Sequence, residues 1–240
     1  MDKIALVTGG TRGIGEAISK KISSSGIKVV ANYSSNDEAA NKFSEKNGID
    51  AVKFDVGDYD QCSKAIKEIE AKHGNISILI NNAGITRDAA LHKMTLQQWN
   101  EVINTNLNSA FNLVSSVIGN MRDSGFGRIV HISSVNGQKG QFGQTNYAAT
   151  KSALLGFSKS LALEVASKGI TSNVVAPGYI NTEMVAAIRE DILKSIVDTI
   201  PSKRLGESDE IADLVNFLIT EQAAYINGAT FSINGGLRMD

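Results

Sequence analysis

Short apolar segments alternate with longer segments of helical periodicity along the whole chain. The apolar segments predict strands over residues 4–8, 27–31, 51–54, 76–80, 128–132, 171–175 and 230–233. The segments between them predict helices over 12–25, 37–46, 59–72, 96–121 (one long or kinked helix), 146–167, 184–199 and 209–219. Strands that are continuously apolar are typical of a sheet covered by helices on both faces.

Alternation of strand and helix predicts the fold class. Right-handed βαβ crossovers build an α/β protein with a doubly wound parallel sheet. No linker, repeat or low-complexity tract interrupts the 240 residues, so a single domain over residues 1–240 is predicted.

Composition and charge exclude several classes of protein. With 22 glycines and 2 prolines, the chain is neither collagen-like nor Pro/Gly-rich and disordered. A net charge of −1 without a basic block argues against a nucleic-acid partner. The single Cys62 and three scattered histidines form no metal-ligand pattern, so no metal is expected. No signal peptide or membrane-spanning run is visible, and a cytoplasmic protein without a membrane partner is expected.

A glycine-rich turn follows the first predicted strand. Its sequence is Thr8-Gly-Gly-Thr-Arg-Gly-Ile-Gly15, and a helix is predicted directly after it. Glycines at this position allow backbone to approach a pyrophosphate at a helix N-terminus. The spacing differs from GxGxxG, and an ordinary glycine-rich βα turn remains an alternative.

The end of the second predicted strand bears on the choice of cofactor. An NAD site usually has Asp or Glu here, but the sequence is Ala31-Asn-Tyr-Ser-Ser35, with no acid before Asp37. Arg12 can reach a 2′-phosphate, and Asn32, Tyr33 and Ser34 can add hydrogen bonds. These residues favour NADP(H), the alternative being that Arg12 is simply solvated.

Tyr147 and Lys151 are spaced to share one face at the start of a helix. The Lys151 ammonium is expected to lower the pKa of the Tyr147 hydroxyl, which makes it a usable acid. Taken alone, a pair with this spacing is more often an exposed helix pair.

Four motifs occur in order: the glycine turn, Asn81-Asn-Ala-Gly84, Ser134, and Tyr147-x-x-x-Lys151. Together they resemble the short-chain dehydrogenase/reductase family over essentially the whole chain. The resemblance implies one Rossmann-like domain with a seven-stranded parallel sheet, assembled as a homotetramer. It also implies that the segment at about 183–206 is a substrate lid.

Site residues follow from the resemblance by position. Ser134 would polarise a ketone oxygen and Tyr147 would protonate it. The implied catalytic residues are Asn106, Ser134, Tyr147 and Lys151. The implied cofactor-binding residues are Gly9, Thr11, Arg12, Gly13, Ile14, Gly15, Asn32, Tyr33, Ser34, Asp55, Val56, Asn82, Ala83, Gly84, Ile85, Tyr147, Lys151, Pro177, Gly178, Ile180 and Thr182. Asn106 has a second interpretation as a helix-kink residue, and Ser133 is expected to face the other side of the strand end.

The loop Val135-Asn-Gly-Gln-Lys-Gly-Gln-Phe-Gly-Gln-Thr-Asn-Tyr147 is the most discriminating stretch. It is similar to the NADPH-dependent acetoacetyl-CoA reductases within the family, and the 3-oxoacyl-[acyl-carrier-protein] reductases are close. The implied substrate is an acyl-CoA or acyl-carrier-protein thioester, with acetoacetyl-CoA giving (R)-3-hydroxybutanoyl-CoA. The implied substrate-binding residues are Asp88, Ser134, Gln141, Phe142, Gln144, Tyr147, Gly178, Tyr179 and Arg189. Gln141, Gln144 and Arg189 could instead be solvated, and a non-catalytic dinucleotide-binding regulator is a further alternative.

Overall fold

A computed structural model describes residues 3–186 and 189–239 of the chain, except for the side chains of Met184 and Ala186. Within these residues, seven strands form one parallel sheet in the order β3-β2-β1-β4-β5-β6-β7. The strands are β1 Ile4–Val7, β2 Lys28–Tyr33, β3 Asp50–Lys53, β4 Ile76–Asn81, β5 Gly127–Ile132, β6 Ile170–Pro177 and β7 Thr230–Ile233. The predicted α/β fold, with its seven-stranded parallel sheet, is confirmed.

Helices connect the strands on both faces of the sheet. They are α1 Gly13–Ser24, α2 Asp37–Asn47, α3 Tyr59–His73, α4 Leu96–Ile103, α5 Ser109–Ser124, α6 Val135–Lys139, α7 Thr145–Val165, α8 Glu183–Ala186, α9 Glu190–Thr199 and α10 Ser208–Leu218. The helix predicted over 96–121 is kinked, because a π-helical turn at Asn104–Asn108 separates α4 from α5. The short α6 was not predicted. The single helix predicted over 184–199 is α8 and α9 in the described residues, and 187–188 lie outside them.

Two apolar clusters hold the helices on the sheet. On one face, Ile18 of α1 and Val215 of α10 pack against β1, β4 and β5 residues such as Ile80. On the other face, Ile66 of α3 and Leu113 of α5 pack with α7 against the same strands. Each fully buried Leu or Ile contributes about 1.5–3 kcal/mol by removal of apolar surface from water. The central strands are therefore the most firmly held part of the molecule.

The strand order places a site at one edge of the sheet. β1 lies between β2 and β4, so the chain reverses its direction of winding at β1 and β4. In open α/β sheets, the crevice at the carboxyl ends of such strands binds ligands. The glycine turn after β1, the Asn82 loop after β4 and Ser134 after β5 all lie at this edge.

Candidate active site at the carboxyl edge of the sheet

Within the glycine turn, the backbone at Gly15 lies directly against the backbone at Gly9. A Cβ at Gly15 would overlap the carbonyl oxygen of Gly9, so this position accepts only glycine without rearrangement. Gly9 itself has φ +58°, a left-handed conformation that favours glycine. Among the described residues no side chain caps α1, since its N-cap is the exposed Arg12. The first N–H groups of α1 are thus available to an anion.

Asn32 supports this turn from beneath. Its Oδ1 accepts from the Gly9 N–H at 3.2 Å, and its Nδ2 donates to the carbonyls of Tyr33 and Phe54 at 3.1 and 2.9 Å. Asn32 is buried, and both of its donor hydrogens are used. The side chain therefore turns inward and holds the loop, with both donor hydrogens directed at backbone carbonyls.

The loop after β4 is tied to the same turn. Thr8 Oγ1 accepts from the backbone N–H groups of Asn82 and Ala83 at 2.9 and 3.0 Å. Asn82 Nδ2 donates to the Thr8 carbonyl at 2.8 Å. One hydroxyl and one amide thus fix two loops that come from different strands.

An ion pair between α2 and β3 lies beside the carboxyl end of β2. Lys53 donates to Asp37 at 2.9 Å, and the Tyr33 phenol lies close to the same carboxylate. Burial, and then this carboxylate, raise the pKa of Tyr33. Lys53, and then Tyr33, hold the pKa of Asp37 below its usual range. Ser34 is exposed beside them, as is Arg12 in the turn. Lys53 and Asp37 thus place one cation and one carboxylate at this end of the crevice, and the exposed Arg12 belongs to the adjoining glycine turn.

Asp55 and Val56 shape the next loop, after β3. Asp55 Oδ1 accepts from the Gly57 N–H at 2.8 Å, and the Val56 carbonyl accepts from Asn112 Nδ2 at 3.0 Å. Burial raises the pKa of the neighbouring Cys62 thiol to about 12, so this thiol stays protonated at neutral pH. These contacts give the loop a fixed backbone course at the edge of the crevice.

Ser134 and Tyr147 meet at the end of β5. The hydroxyl of Ser134 accepts from the Asn136 N–H at 3.1 Å and lies close enough to the Tyr147 phenol to lower its pKa. Burial raises the pKa of Tyr147, the Ser134 hydroxyl lowers it, and the Asp88 charge raises it again. The net direction is upward, whereas the sequence predicted a pKa lowered by Lys151. Burial prevails in this structure because the Lys151 ammonium is directed elsewhere.

The Lys151 ammonium donates to the carbonyl of Ile132 at 2.7 Å and lies 5.6 Å from the centroid of the Tyr147 ring. Burial lowers its pKa to about 8. Ser133 donates to the Lys151 carbonyl at 2.7 Å, so the two adjacent serines have different partners. The α6 backbone packs directly on this residue, since a Cβ at Gly137 would lie 2.7 Å from Lys151 Cβ.

Asn106 lies in the π-helical turn and is buried. Its Oδ1 accepts from the Ile85 N–H at 2.8 Å, and its Nδ2 donates to the Ile85 carbonyl at 2.9 Å. A Cβ at Gly84 would lie 3.4 Å from both Asn106 Oδ1 and Lys151 Nζ. The structure therefore brings Gly84, Ile85, Asn106 and Lys151 together, and Asn106 is a helix-kink residue that holds the neighbouring loop.

The segment after β6 closes the crevice over the glycine turn. A Cβ at Gly13 would lie 3.8 Å from Thr182 Cγ2. The Gly178 N–H donates to the Ile233 carbonyl at 2.9 Å, and Ile180 pairs with Gly206 in a parallel bridge. The segment Pro177–Thr182 is thereby anchored at both of its ends.

The predicted substrate residues form a looser rim. Gln144 Nε2 donates to Asp88 at 2.9 Å, and the Ala89 N–H donates to the Gly143 carbonyl at 2.9 Å. Gln141 is exposed, as is Phe142, with 89% of its surface accessible. The Arg189 guanidinium pairs with Asp191, two residues along its own segment, at 2.5 and 2.8 Å. Asp88 and Gln144 are brought to the site, while the Arg189 guanidinium is hydrogen-bonded only to Asp191 among the described residues.

Sequence reasoning missed three residues of this site. Each has a signal that can be seen in retrospect, because it is a polar residue within two positions of a predicted one. They are Thr8, Lys53 and Asn136.

The crevice fits a nicotinamide dinucleotide. The open N-terminus of α1 and the side-chain-free path at Gly9 and Gly15 suit a pyrophosphate, and Gly84 leaves space beside Lys151. No helix in 3–186 or 189–239 is long and apolar enough to cross a membrane.

Comparison with known proteins gives a consistent picture. The family model for short chain dehydrogenases matches residues 3–193. An acetoacetyl-CoA reductase of Shinella zoogloeoides is 55% identical over 237 residues, 98% of each chain, and one of Paracoccus denitrificans is 55% identical over 238 residues, again 98% of each. The 3-oxoacyl-[acyl-carrier-protein] reductase FabG of Escherichia coli (strain K12) is 46% identical over 239 residues, 99% of this chain and 98% of its own. The chain belongs to the short-chain dehydrogenase family and is an oxidoreductase of the CH–OH/C=O type with a nicotinamide dinucleotide cofactor.

Proposed function

We propose that the chain reduces acetoacetyl-CoA with NADPH to (R)-3-hydroxybutanoyl-CoA. The observation that carries the proposal is the proximity of the Ser134 and Tyr147 hydroxyls at the carboxyl edge of the sheet, where Ser134 lowers the pKa of Tyr147 against the effect of burial. Two hydroxyl groups that meet beside a dinucleotide crevice can bind one ketone oxygen between them. The thioester part of the substrate is inferred from the names of the similar proteins, which are acetoacetyl-CoA reductases.

Tyr147 is the proposed proton donor. Its pKa lies above the usual value for tyrosine, so the phenol carries its proton throughout the neutral range. Ser134 donates a hydrogen bond to the same ketone oxygen and stabilises the charge that develops there. The cofactor, when bound, supplies the hydride.

Lys151 and Asn106 complete the proposed catalytic set. Lys151 presents a buried ammonium next to Gly84, where it can bind the cofactor ribose and stabilise the phenolate left on Tyr147. Asn106 fixes the backbone of Ile85 and so keeps that loop against the ammonium. Its second proposed role, holding a water for proton supply, would use the same buried position.

Exposed residues at the end of β2 support NADP(H). Arg12 and Ser34 can bind a 2′-phosphate, and Tyr33 lies beside them. Asp37 would repel this dianion, but Lys53 offsets its charge through the 2.9 Å contact.

The proposal has three further parts. Residues 183–206 act as the substrate lid, anchored by the Ile180 bridge to Gly206. Gln141, Phe142, Tyr179 and Arg189 bind the acyl-CoA around it. The enzyme is a cytoplasmic homotetramer, as the family resemblance implies.

The second candidate is a 3-oxoacyl-[acyl-carrier-protein] reductase, which the 46% identical Escherichia coli relative favours. Both candidates use the same chemistry and differ in the carrier of the thioester. A non-catalytic dinucleotide-binding regulator is the remote alternative, and the intact set of Ser134, Tyr147 and Lys151 speaks against it.

One kinetic comparison tests these candidates. We expect NADPH oxidation with a kcat/KM for acetoacetyl-CoA above that for acetoacetyl-carrier protein, and NADPH preferred over NADH. Preference for the carrier protein would favour the second candidate. Tight NADPH binding without turnover of either thioester would favour the regulator.

A further inference from the structure

Asn136, in the first turn of α6, is hydrogen-bonded both to the Ser134 hydroxyl and to the side-chain amide of Gln144. Its backbone N–H donates to Ser134 Oγ at 3.1 Å, and its side-chain Nδ2 donates to Gln144 Oε1 at 3.0 Å. Gln144 Nε2 then donates to Asp88 at 2.9 Å. Asn136 is only 8% exposed, so it lies beneath the site and does not line its open mouth.

The carboxylate at the end of this series fixes the direction of every hydrogen bond. Carboxylate oxygens accept hydrogen bonds, so Gln144 turns its NH₂ group toward Asp88 and its carbonyl toward Asn136. Asn136 must in turn present its NH₂ group to Gln144. The second N–H of Gln144 is then its remaining polar hydrogen, with no acceptor among the described residues.

Asn136 holds this arrangement at a cost. Its Oδ1 is buried without a hydrogen-bond partner in the part of the chain that the structure describes. An unpaired buried acceptor loses its hydration and destabilises the folded state, so its presence calls for an explanation. A leucine of similar shape would avoid the cost but could not donate to Gln144.

We propose that Asn136 is a positioning residue that makes the enzyme specific for a second carbonyl oxygen beside the ketone, as in a 3-oxoacyl group. It aims the remaining N–H of Gln144 at that oxygen while its backbone holds the Ser134 hydroxyl at the ketone. The donors to the two oxygens are thus fixed relative to each other through one residue. This inference rests on the proposed function, because it assumes that Ser134 and Tyr147 bind the ketone.

The test compares two small esters that differ by one methylene between their carbonyls, ethyl acetoacetate (3-oxo) and ethyl levulinate (4-oxo), alongside acetoacetyl-CoA. In Asn136→Leu we expect kcat/KM to fall at least tenfold for acetoacetyl-CoA and ethyl acetoacetate, and to stay within twofold for ethyl levulinate. The NADPH Kd, measured by fluorescence, should not rise, and the midpoint of thermal unfolding should not fall. Gln138→Leu, in the same helix, is the matched control and should retain the 3-oxo preference.

A second variant keeps the inference testable if Asn136→Leu folds poorly. Gln144→Met removes the aimed N–H itself and should lose the same preference, and the double variant should lose no more than Gln144→Met alone. Equal losses for the 3-oxo and 4-oxo esters, or a retained preference in both single variants, would overturn the positioning role. Failure of the native chain to turn over acetoacetyl-CoA or either ester would overturn the proposed function and this inference together.

Discussion

The cofactor side and the substrate side of the crevice are built differently. On the cofactor side, the side-chain amides of Asn32, Asn82 and Asn106 are hydrogen-bonded to the backbone of neighbouring loops. On the substrate side, Phe142 is 89% exposed and Arg189 pairs with a residue of its own segment. The first region is organised before a ligand arrives, whereas the second adds to the fixed Gln144 and Asp88 two side chains, Phe142 and Arg189, that a ligand must order.

This difference predicts where substitutions act. Preorganised groups lower the free energy of the transition state because they need no rearrangement during the reaction, so changes to them reduce kcat. Groups ordered by the ligand contribute binding energy offset by lost side-chain entropy, so changes to them mainly raise KM. Ser134 and Lys151 are buried with fixed partners and belong with the preorganised groups, and the half-buried Tyr147 lies between them.

The largest effect is expected for Tyr147→Phe. Removing this one hydroxyl takes away the proton donor, and we expect kcat for acetoacetyl-CoA to fall about 10³-fold or more. The fold and NADPH binding should remain, as circular dichroism and fluorescence titration would show. Tyr225→Phe, at a fully exposed tyrosine, is the control and should keep native activity. Native-like turnover by Tyr147→Phe would show that Tyr147 is not the proton donor.

A smaller loss of activity is expected when the packing beneath Lys151 is changed. In Gly137→Ala, the new Cβ would lie 2.7 Å from Lys151 Cβ, so α6 or α7 must move. Because such a shift misplaces Lys151 and Tyr147 together, we expect kcat to fall about 10- to 100-fold.

Gly156→Ala is the matched control in α7, since a Cβ there meets nothing within 4 Å. It should stabilise the helix by up to about 1 kcal/mol and leave kcat unchanged. Steady-state kinetics and thermal unfolding of both variants would check the pair. Full activity of Gly137→Ala would show that the contact between α6 and α7 does not set the position of Lys151.

The sequence predicted the sheet and most of its helices because continuous apolar strands alternate with clear helical periodicity. It could not predict α6, which has five residues and an internal Gly137 and forms because Ser134 caps it and α7 packs against it. Tertiary contacts, and not local propensity, determine such a short helix.

The same limit applies to side-chain direction within the candidate site. Asn32 follows a strand end, and the sequence does not distinguish an outward amide from the inward one that holds Gly9. The spacing of Tyr147 and Lys151 indicates a shared helix face, but the ammonium is drawn to the Ile132 carbonyl, which is distant in sequence. Burial then raises the pKa of the phenol, an effect that no local pattern reveals.

The smallest effect is expected on the free energy of unfolding, because the preorganised cofactor side holds the buried charge of Lys151. Burial lowers the pKa of Lys151 from 10.5 to about 8, so below pH 8 the folded state holds a charge that costs about 3 kcal/mol. The substitution Lys151→Met removes this cost but also removes the hydrogen bond to the Ile132 carbonyl, which destabilises the variant by about 1–2 kcal/mol. We therefore expect Lys151→Met, although inactive, to raise the free energy of unfolding by about 1–2 kcal/mol at pH 7.

The gain should fade with rising pH. Between pH 8 and pH 10.5 the unfolded native chain binds a proton at Lys151 that the folded chain has released, so the native protein gains stability with pH across this window and the variant does not. Urea unfolding of both proteins at pH 7 and pH 10 would measure the difference. Arg189→Met, on the exposed rim, should show no such pH-dependent difference. If Lys151→Met gained the same stability at both pH values, burial of the Lys151 charge would not be the source of the gain. The preorganised cofactor side would then cost no more folding free energy than the exposed rim.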